Sequence, residues 1–337
     1  MKTVEELSAA AVATEQAFLD AVVVPCRPRV LRGLAANWPA VRASGSPQDF
    51  RAYLRRFEAQ GTIEAFFGQR AIDGKYFYGD DLRGFNFERR TLAFPQALDA
   101  IFSADPAEEG PSVYVGSVPA ELYLPGFGDE NGTKLAGAAA SPRIWLGHAS
   151  TVSCHYDAYD NLAVVVAGKR RFTLYAPELI GDLYIGPIDH TMAGQPVSLA
   201  AAAAPGDPRY PRFDAVRDKA LVVELEPGDA LYLPKLWWHQ VEATAAFNGL
   251  VNYWWDAFKQ GPDAPYAALV LAMIALAERP AGEREAWRAY FDHYVFRVEG
   301  HPLAFLPEEK RGVLGPLQPD NYGRLRALVM HMLRSGY

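Results

Sequence analysis

Seven histidines occur in the 337-residue chain, and two of them stand where the neighbouring residues suit metal ligation. His155-Tyr156-Asp157 is a His-x-Asp step, which seven histidines produce by chance about 0.4 times at ordinary aspartate usage. The tripeptide alone is therefore weak, but its setting adds to it. Thr151 to His155 reads as a strand, and the two-residue period of a strand puts His155 and Asp157 on one face. His239 follows 84 residues later, in Lys235-Leu236-Trp237-Trp238-His239-Gln240-Val241-Glu242, behind the turn Glu226-Pro227-Gly228-Asp229 and a short strand. Two imidazoles and one carboxylate on one side of a metal make the facial triad of non-haem Fe(II) oxygenases, which leaves open positions for co-substrate and O2. The set contains no thiolate, unlike most closed structural zinc sites. Cys154 reads as a small buried residue. His148, His190, His293, His301 and His331 have no partners at ligand spacing and read as surface or satisfied core.

The elements that must carry these residues are short strands. From Ser112 onward nine β-rich runs follow one another: Val113–Val118, Arg143–Leu146, Thr151–His155, Leu162–Val166, Arg171–Tyr175, Leu221–Leu225, Ala230–Leu233, Trp238–Ala243 and Leu250–Trp254. Gly168, Pro227-Gly228-Asp229 and Asn248-Gly249 mark joins between them. With no helices between the strands, the pattern predicts an antiparallel sandwich or barrel, so the class is mainly β. Residues 181–219, rich in Ala and Pro, read as an insertion between two strands. Ahead of the barrel, Val4 to Leu19 reads as a helix, Arg29–Arg32 as a strand, Asp49–Phe57 and Ala93–Phe102 as helices, and 62–87 as short strands. After it come helices at Ala264–Ala277 (with Asp263 as N-cap), Glu283–Val295 and Tyr322–Arg334. The chain thus divides into a mixed α/β flank (1–110), a barrel (111–258) and a C-terminal helical region (259–337).

Composition narrows the partners. Hydrophobic residues make up 50% and charged ones 22%, enough for a large core. The net charge of −7 gives no basic footprint for nucleic acid or an anionic membrane. Cys26 and Cys154 lie too far apart for a secreted disulfide framework, and Glu5 and Glu6 stand where a signal peptide would be basic. The longest apolar run, Ala264 to Ala277, has 14 residues, against about 18 or more for a membrane span. The expectation is a cytoplasmic protein with no nucleic-acid or membrane partner. Because Ala264–Ala277 is apolar on every face, a homodimer through the C-terminal helices is expected as well.

A family resemblance rests on a set of segments: Ile144-Trp145-Leu146-Gly147, His155-Tyr156-Asp157, Asn161, and Gly168-Lys169-Arg170-Arg171-Phe172-Thr173-Leu174-Tyr175-Ala176-Pro177. It continues through Glu226-Pro227-Gly228-Asp229-Ala230-Leu231-Tyr232-Leu233-Pro234, Trp237-Trp238-His239 and Val251-Asn252-Tyr253-Trp254-Trp255, with Trp38-Pro39-Ala40 near the start. Together these resemble the bacterial cupin-like JmjC oxygenases, relatives of the asparaginyl hydroxylase that modifies hypoxia-inducible factor. The resemblance covers about residues 30–256. It implies a double-stranded β-helix that uses Fe(II), 2-oxoglutarate and O2, with His155, Asp157 and His239 as catalytic metal ligands. It implies further that Arg170 stands where the family has a lysine for the distal carboxylate of 2-oxoglutarate. A guanidinium can hold that carboxylate bidentately. Tyr114, Asn161 and Asn252 match other co-substrate residues. Val152 stands where the family often has Ser or Thr, with Thr151 and Ser153 beside it, and Thr151 is taken as the co-substrate residue there. The implied activity is hydroxylation of a protein side chain or small molecule, with succinate and CO2 released. A metal-binding barrel without oxidative turnover, serving as a binding or scaffolding module, is the other reading.

Overall fold

The computed structural model describes residues 2–335 apart from 60, 80, 81, 83, 104–109, 138, 139, 192, 193, 260–262 and 317. Among these, the strands are Lys2–Thr3 (β1), Glu5–Ser8 (β2), Arg29–Arg32 (β3), Thr62–Gly68 (β4), Lys75–Tyr76 (β5), Phe87–Ala93 (β6), Ser112–Pro119 (β7) and Pro142–Gly147 (β8). They continue with Ser150–His155 (β9), Asp160–Ala167 (β10), Arg170–Tyr175 (β11), Leu221–Leu225 (β12), Ala230–Leu233 (β13), Trp238–Ala243 (β14) and Asn248–Trp255 (β15). One sheet runs β1-β12-β11-β14-β9-β5 and the other β2-β3-β13-β10-β15-β8-β7-β4-β6. The strands β8–β15 divide between the two sheets, and every pairing among them is antiparallel. This is a double-stranded β-helix, a jelly roll. All nine strands expected from Ser112 onward are present.

Strand β10 shows why the sequence folds this way. All eight of its residues are buried, because both of its faces are covered. Ala163 and Val165 face the interior in a cluster with Phe172, Leu174, Leu231 and Leu250. Leu162, Val164 and Val166 belong to a second cluster with Phe50, Leu54, Phe94 and Leu98. Those aromatic and leucine side chains come from the helices Pro47–Arg55 and Phe94–Ser103, which match the two expected there. Ser46 caps the first of them, accepting from the Asp49 N–H at 3.1 Å.

The start of the chain differs from expectation. The predicted helix from Val4 to Leu19 is replaced by β2, a 3-10 turn at Ala9–Val12 and a short helix at Glu15–Phe18. β2 pairs in parallel with β3, and the ion pairs Arg29–Glu5 (3.0 Å) and Arg32–Glu6 (2.7 Å) pin the edge. Ser8 and Thr14 each take a backbone N–H with their hydroxyls, which breaks the periodic run into separate turns. A long-range partner has overridden a local helical pattern.

The insertion 181–219 lies between β11 and β12 and packs back on the barrel. Val197 bridges to His155, and the Ser198 N–H donates to the Cys154 carbonyl at 2.7 Å.

Contacts divide the chain into Met1–Ala257 and Phe258–Tyr337. The second unit contains the helices Pro265–Leu276, Ala281–Phe291 and Pro319–Ser335. Ala264, not Asp263, occupies the N-cap position of the first; the Asp263 carboxylate instead accepts from the Tyr322 hydroxyl and from Arg326. Among the described residues, no helix is long and apolar enough to cross a membrane.

The turn into β11 depends on one glycine. Gly168 has φ +72°, and a Cβ added there would run into the Phe247 carbonyl and the Asn248 side chain. The Asn248 amide oxygen, fully buried, accepts from the Lys169 N–H at 3.2 Å and so fixes the residue before Arg170. Gly168→Ala is expected to lower stability by more than about 1 kcal/mol, read as a drop in Tm. An unchanged Tm would show that the turn relaxes at no cost.

Candidate active site

His155 ends β9, His239 lies in β14, and the two are directly paired across the strands, which brings their rings to 4.2 Å between centroids. Asp157 follows two residues after β9. Its backbone carbonyl accepts from the Leu236 N–H at 2.8 Å, so the loop that carries it is tied to the start of β14. One ligand atom from each of the three residues lies within 4.8 Å of the others. His239 Nε2 stands 3.8 Å from Asp157 Oδ2.

The hydrogen bonds assign the free nitrogens. His155 Nδ1 lies 2.7 Å from the Ser153 carbonyl and His239 Nδ1 lies 2.9 Å from the Trp237 carbonyl. A carbonyl only accepts, so each Nδ1 carries the proton and each Nε2 keeps its lone pair, the arrangement of a metal-ligating histidine. Burial raises the Asp157 carboxyl above the usual range, with His155 acting the other way. Burial, then the neighbouring His155, holds the His239 imidazole well below its ordinary value. A divalent cation is the charge this group lacks. Two imidazole nitrogens and one carboxylate oxygen, with no sulfur among them, fit Fe(II).

The triad opens on a cavity of about 610 Å³ whose walls come from both sheets. Arg170, at the start of β11, lines it and is only 3% exposed. No carboxylate among the described residues pairs with it, and its Nε is buried without an acceptor. Burial pulls its guanidinium down to about 10, opposed by the nearby Tyr114 phenol, so it remains a cation near neutral pH. Its neighbours Lys169 and Arg171 pair outside with Glu226 (2.9 Å) and Glu242 (3.9 Å), as strand alternation requires. Asn161 and Asn252 both line the cavity, the Asn252 amide donating to Asn161 Oδ1 at 2.7 Å. Tyr114 lines it too, its ring 5.6 Å from that of Tyr76, and burial raises its phenol. The donor set Arg170, Tyr114 and Asn161 fits a buried dicarboxylate.

Thr151 is the exception. It is not among the cavity-lining residues; Val152 and Ser153 are. β14 pairs His239 with His155 but Val241 with Val152, so β9 carries one extra residue between them. That bulge turns Val152 to the side of His155 and Thr151 to the other face. Ser153 Oγ donates to the Tyr76 carbonyl at 3.0 Å. Sequence reasoning missed Tyr76, Arg143, Trp145 and Val197 on the cavity wall. Arg143 and Trp145 alternate with the buried Ile144 and Leu146, so strand period alone could have placed both on the inner face. Nothing local marks Val197, which arrives from the insertion.

A jelly roll with a His-Asp-His cluster inside it defines a metal-binding cupin-type barrel. A family model described as a cupin-like domain matches residues 15–261, and the chain belongs to that family. It is 28% identical over 266 residues to the human "Bifunctional peptidase and (3S)-lysyl hydroxylase JMJD7", across 69% of this chain and 78% of that protein. It is 39% identical over 121 residues to the "Jumonji C domain-containing protein 5" of Drosophila melanogaster, across 35% of this chain. It is 22% identical over 250 residues to the "Lysine-specific demethylase 8" of Xenopus tropicalis, across 71% of this chain. The matched parts make up only 28% and 50% of these last two proteins.

Proposed function

We propose that this chain is an Fe(II)- and 2-oxoglutarate-dependent oxygenase that hydroxylates a C–H bond of a protein side chain or small molecule. One observation carries the reading: two imidazoles whose Nδ1 protons are committed to backbone carbonyls converge with Asp157 in a cavity that also holds Arg170, a buried cation without an anion. His155, Asp157 and His239 would hold the metal, and Arg170 with Tyr114 the distal carboxylate of the co-substrate. When bound, the iron and 2-oxoglutarate supply the oxidation: one atom of O2 goes to the C–H, the other to succinate, and CO2 leaves. The chain's own share is to orient the co-substrate, present the C–H and exclude water. The relatives' printed names, a lysyl hydroxylase and a lysine demethylase, support a protein side chain as substrate class. Two unpaired cysteines support a reducing, cytoplasmic setting.

The test is conversion of 2-oxoglutarate to succinate by purified protein with Fe(II) and ascorbate. Absence of succinate, with iron bound, would favour a barrel used only for binding.

Assembly is a separate proposal. Helix Pro265–Leu276 has no buried residue, and Leu269, Leu271, Met273 and Ile274 are all exposed. A second copy of the chain presents the same apolar surface, so an isologous pair covers both. Light scattering is expected to give twice the 37.1 kDa chain mass at micromolar concentration. A monomer there would rule the pairing out.

A further inference from the structure

The proposed metal and co-substrate would account for most of the charge that lines the cavity, and one cation is left over. Arg89 pairs with Glu64 at 3.6 Å, Asp157 belongs to the triad, and Arg170 is assigned to the proposed co-substrate. Arg143, half-buried on β8, lines the same cavity and has no carboxylate partner among the described residues. It stands in register with Asn252 on the sheet opposite the metal ligands.

The guanidinium is held in place. Its Nε donates to Ser117 Oγ at 2.6 Å and its Nη2 to the Ser117 carbonyl at 2.5 Å. Ser117 has φ 54°, a left-handed backbone that is uncommon outside glycine, next to the register shift in β7. A strained residue thus turns two oxygens toward one side chain. The guanidinium carbon lies 5.5 Å from the Trp254 ring centre. With Nε and Nη2 committed, Nη1 has no acceptor among the described residues. Trp145 and Trp254 line the same wall, their rings 6.0 Å apart edge to face, and bound the space beside the guanidinium with apolar surface. A guanidinium fixed on a cavity wall with a free edge and no carboxylate beside it is suited to an anion that enters the cavity.

We propose that Arg143 binds a single carboxylate on the primary substrate and thereby selects acidic substrates. This rests on the oxygenase reading for its consequence, not for the anion site itself. A monoanion matches the one spare positive charge; a phosphate dianion would leave a charge uncompensated between aromatic walls. The carboxylate belongs either to an acidic side chain of a peptide or to a free organic acid.

Two acids are titrated into protein loaded with Mn(II) and 2-oxoglutarate: N-acetyl-glutamate amide for the peptide source and 3-phenylpropionate for the free acid. The neutral controls are N-acetyl-glutamine amide and 3-phenylpropionamide, and binding is read by tryptophan fluorescence and calorimetry. At least one acid is expected to bind saturably and more tightly than its amide. Arg143→Gln should weaken that acid by about ten- to hundredfold, the range of a lost charge-assisted hydrogen bond. Arg143→Lys should recover part of it, because the charge returns without the fork. The two arginines should dissociate: Arg143→Gln loses more affinity for the acid than for 2-oxoglutarate, and Arg170→Gln the reverse. Equal binding of acid and amide, no saturable acid, or equal losses of acid and 2-oxoglutarate in Arg143→Gln overturns the proposal. If wild type takes up neither Mn(II) nor 2-oxoglutarate but still prefers the acid, the oxygenase reading fails and the Arg143 site stands.

Discussion

Asp157→Ala loses tight Fe(II) binding and keeps its fold. Even disturbing the residues behind a metal ligand typically costs ten- to hundredfold in affinity, so removing one of three ligands should cost roughly a hundredfold or more. The fold should survive because the structural tie at this position is the Asp157 carbonyl accepting from Leu236, which alanine retains. The buried carboxyl, raised by desolvation, is not stabilising the apoprotein through its charge. Iron content after dialysis, measured beside Tm, decides the matter. A variant that retains iron as the parent does would show that His155 and His239 are paired for another reason.

Arg170→Ala raises the KM for 2-oxoglutarate by about one to three decades, or ~1.5–4 kcal/mol for a lost charge-assisted pair. Arg170→Lys restores part of this, since an ammonium keeps the charge but not the two-pronged geometry. Stability should move differently. Arg170 is 3% exposed without a counter-ion, so in the absence of co-substrate it is a desolvated, uncompensated charge. Its removal is expected to leave the Tm of the apoprotein unchanged or raised while KM rises. A Tm that falls in step with the rise in KM would instead mark Arg170 as a structural residue.

The barrel was legible in the sequence because its signals are local. Strand runs alternate, and turns such as Pro227-Gly228-Asp229 separate them, so β12, β13 and β14 have the limits read from the sequence. The triad was legible for a related reason: His155 and Asp157 are two residues apart, and His239 sits in a tryptophan-rich strand. What escaped depends on pairing between distant segments. The first strand of the large sheet, Glu5–Ser8, looks helical until Arg29–Arg32 is placed beside it. Thr151 looks inward-facing until one extra residue is counted in β9 against β14. Arg143 was readable from alternation, but that it reaches the cavity without a carboxylate partner among the described residues shows only once the strands are paired.

His155, Asp157 and His239, and Arg170 with them, belong to the six-stranded sheet or the loop leaving it, whereas Tyr114, Asn161, Asn252 and Arg143 hang from the nine-stranded one. The His-Asp-His cluster and most of the polar wall that faces it therefore ride on different slabs. Their spacing is set by packed side chains such as Ala163, Val165, Leu174 and Leu231, which act as shims. Interiors packed at crystal-like density transmit a single methylene as a displacement of their walls. Thickening or thinning a shim would therefore move the wall that carries Tyr114, Asn161 and Asn252 relative to the His-Asp-His cluster, while the three residues of the cluster, confined to one slab, keep their geometry. For the proposed oxygenase, regiochemistry would be adjustable from the dry core, without touching a residue of the cavity wall.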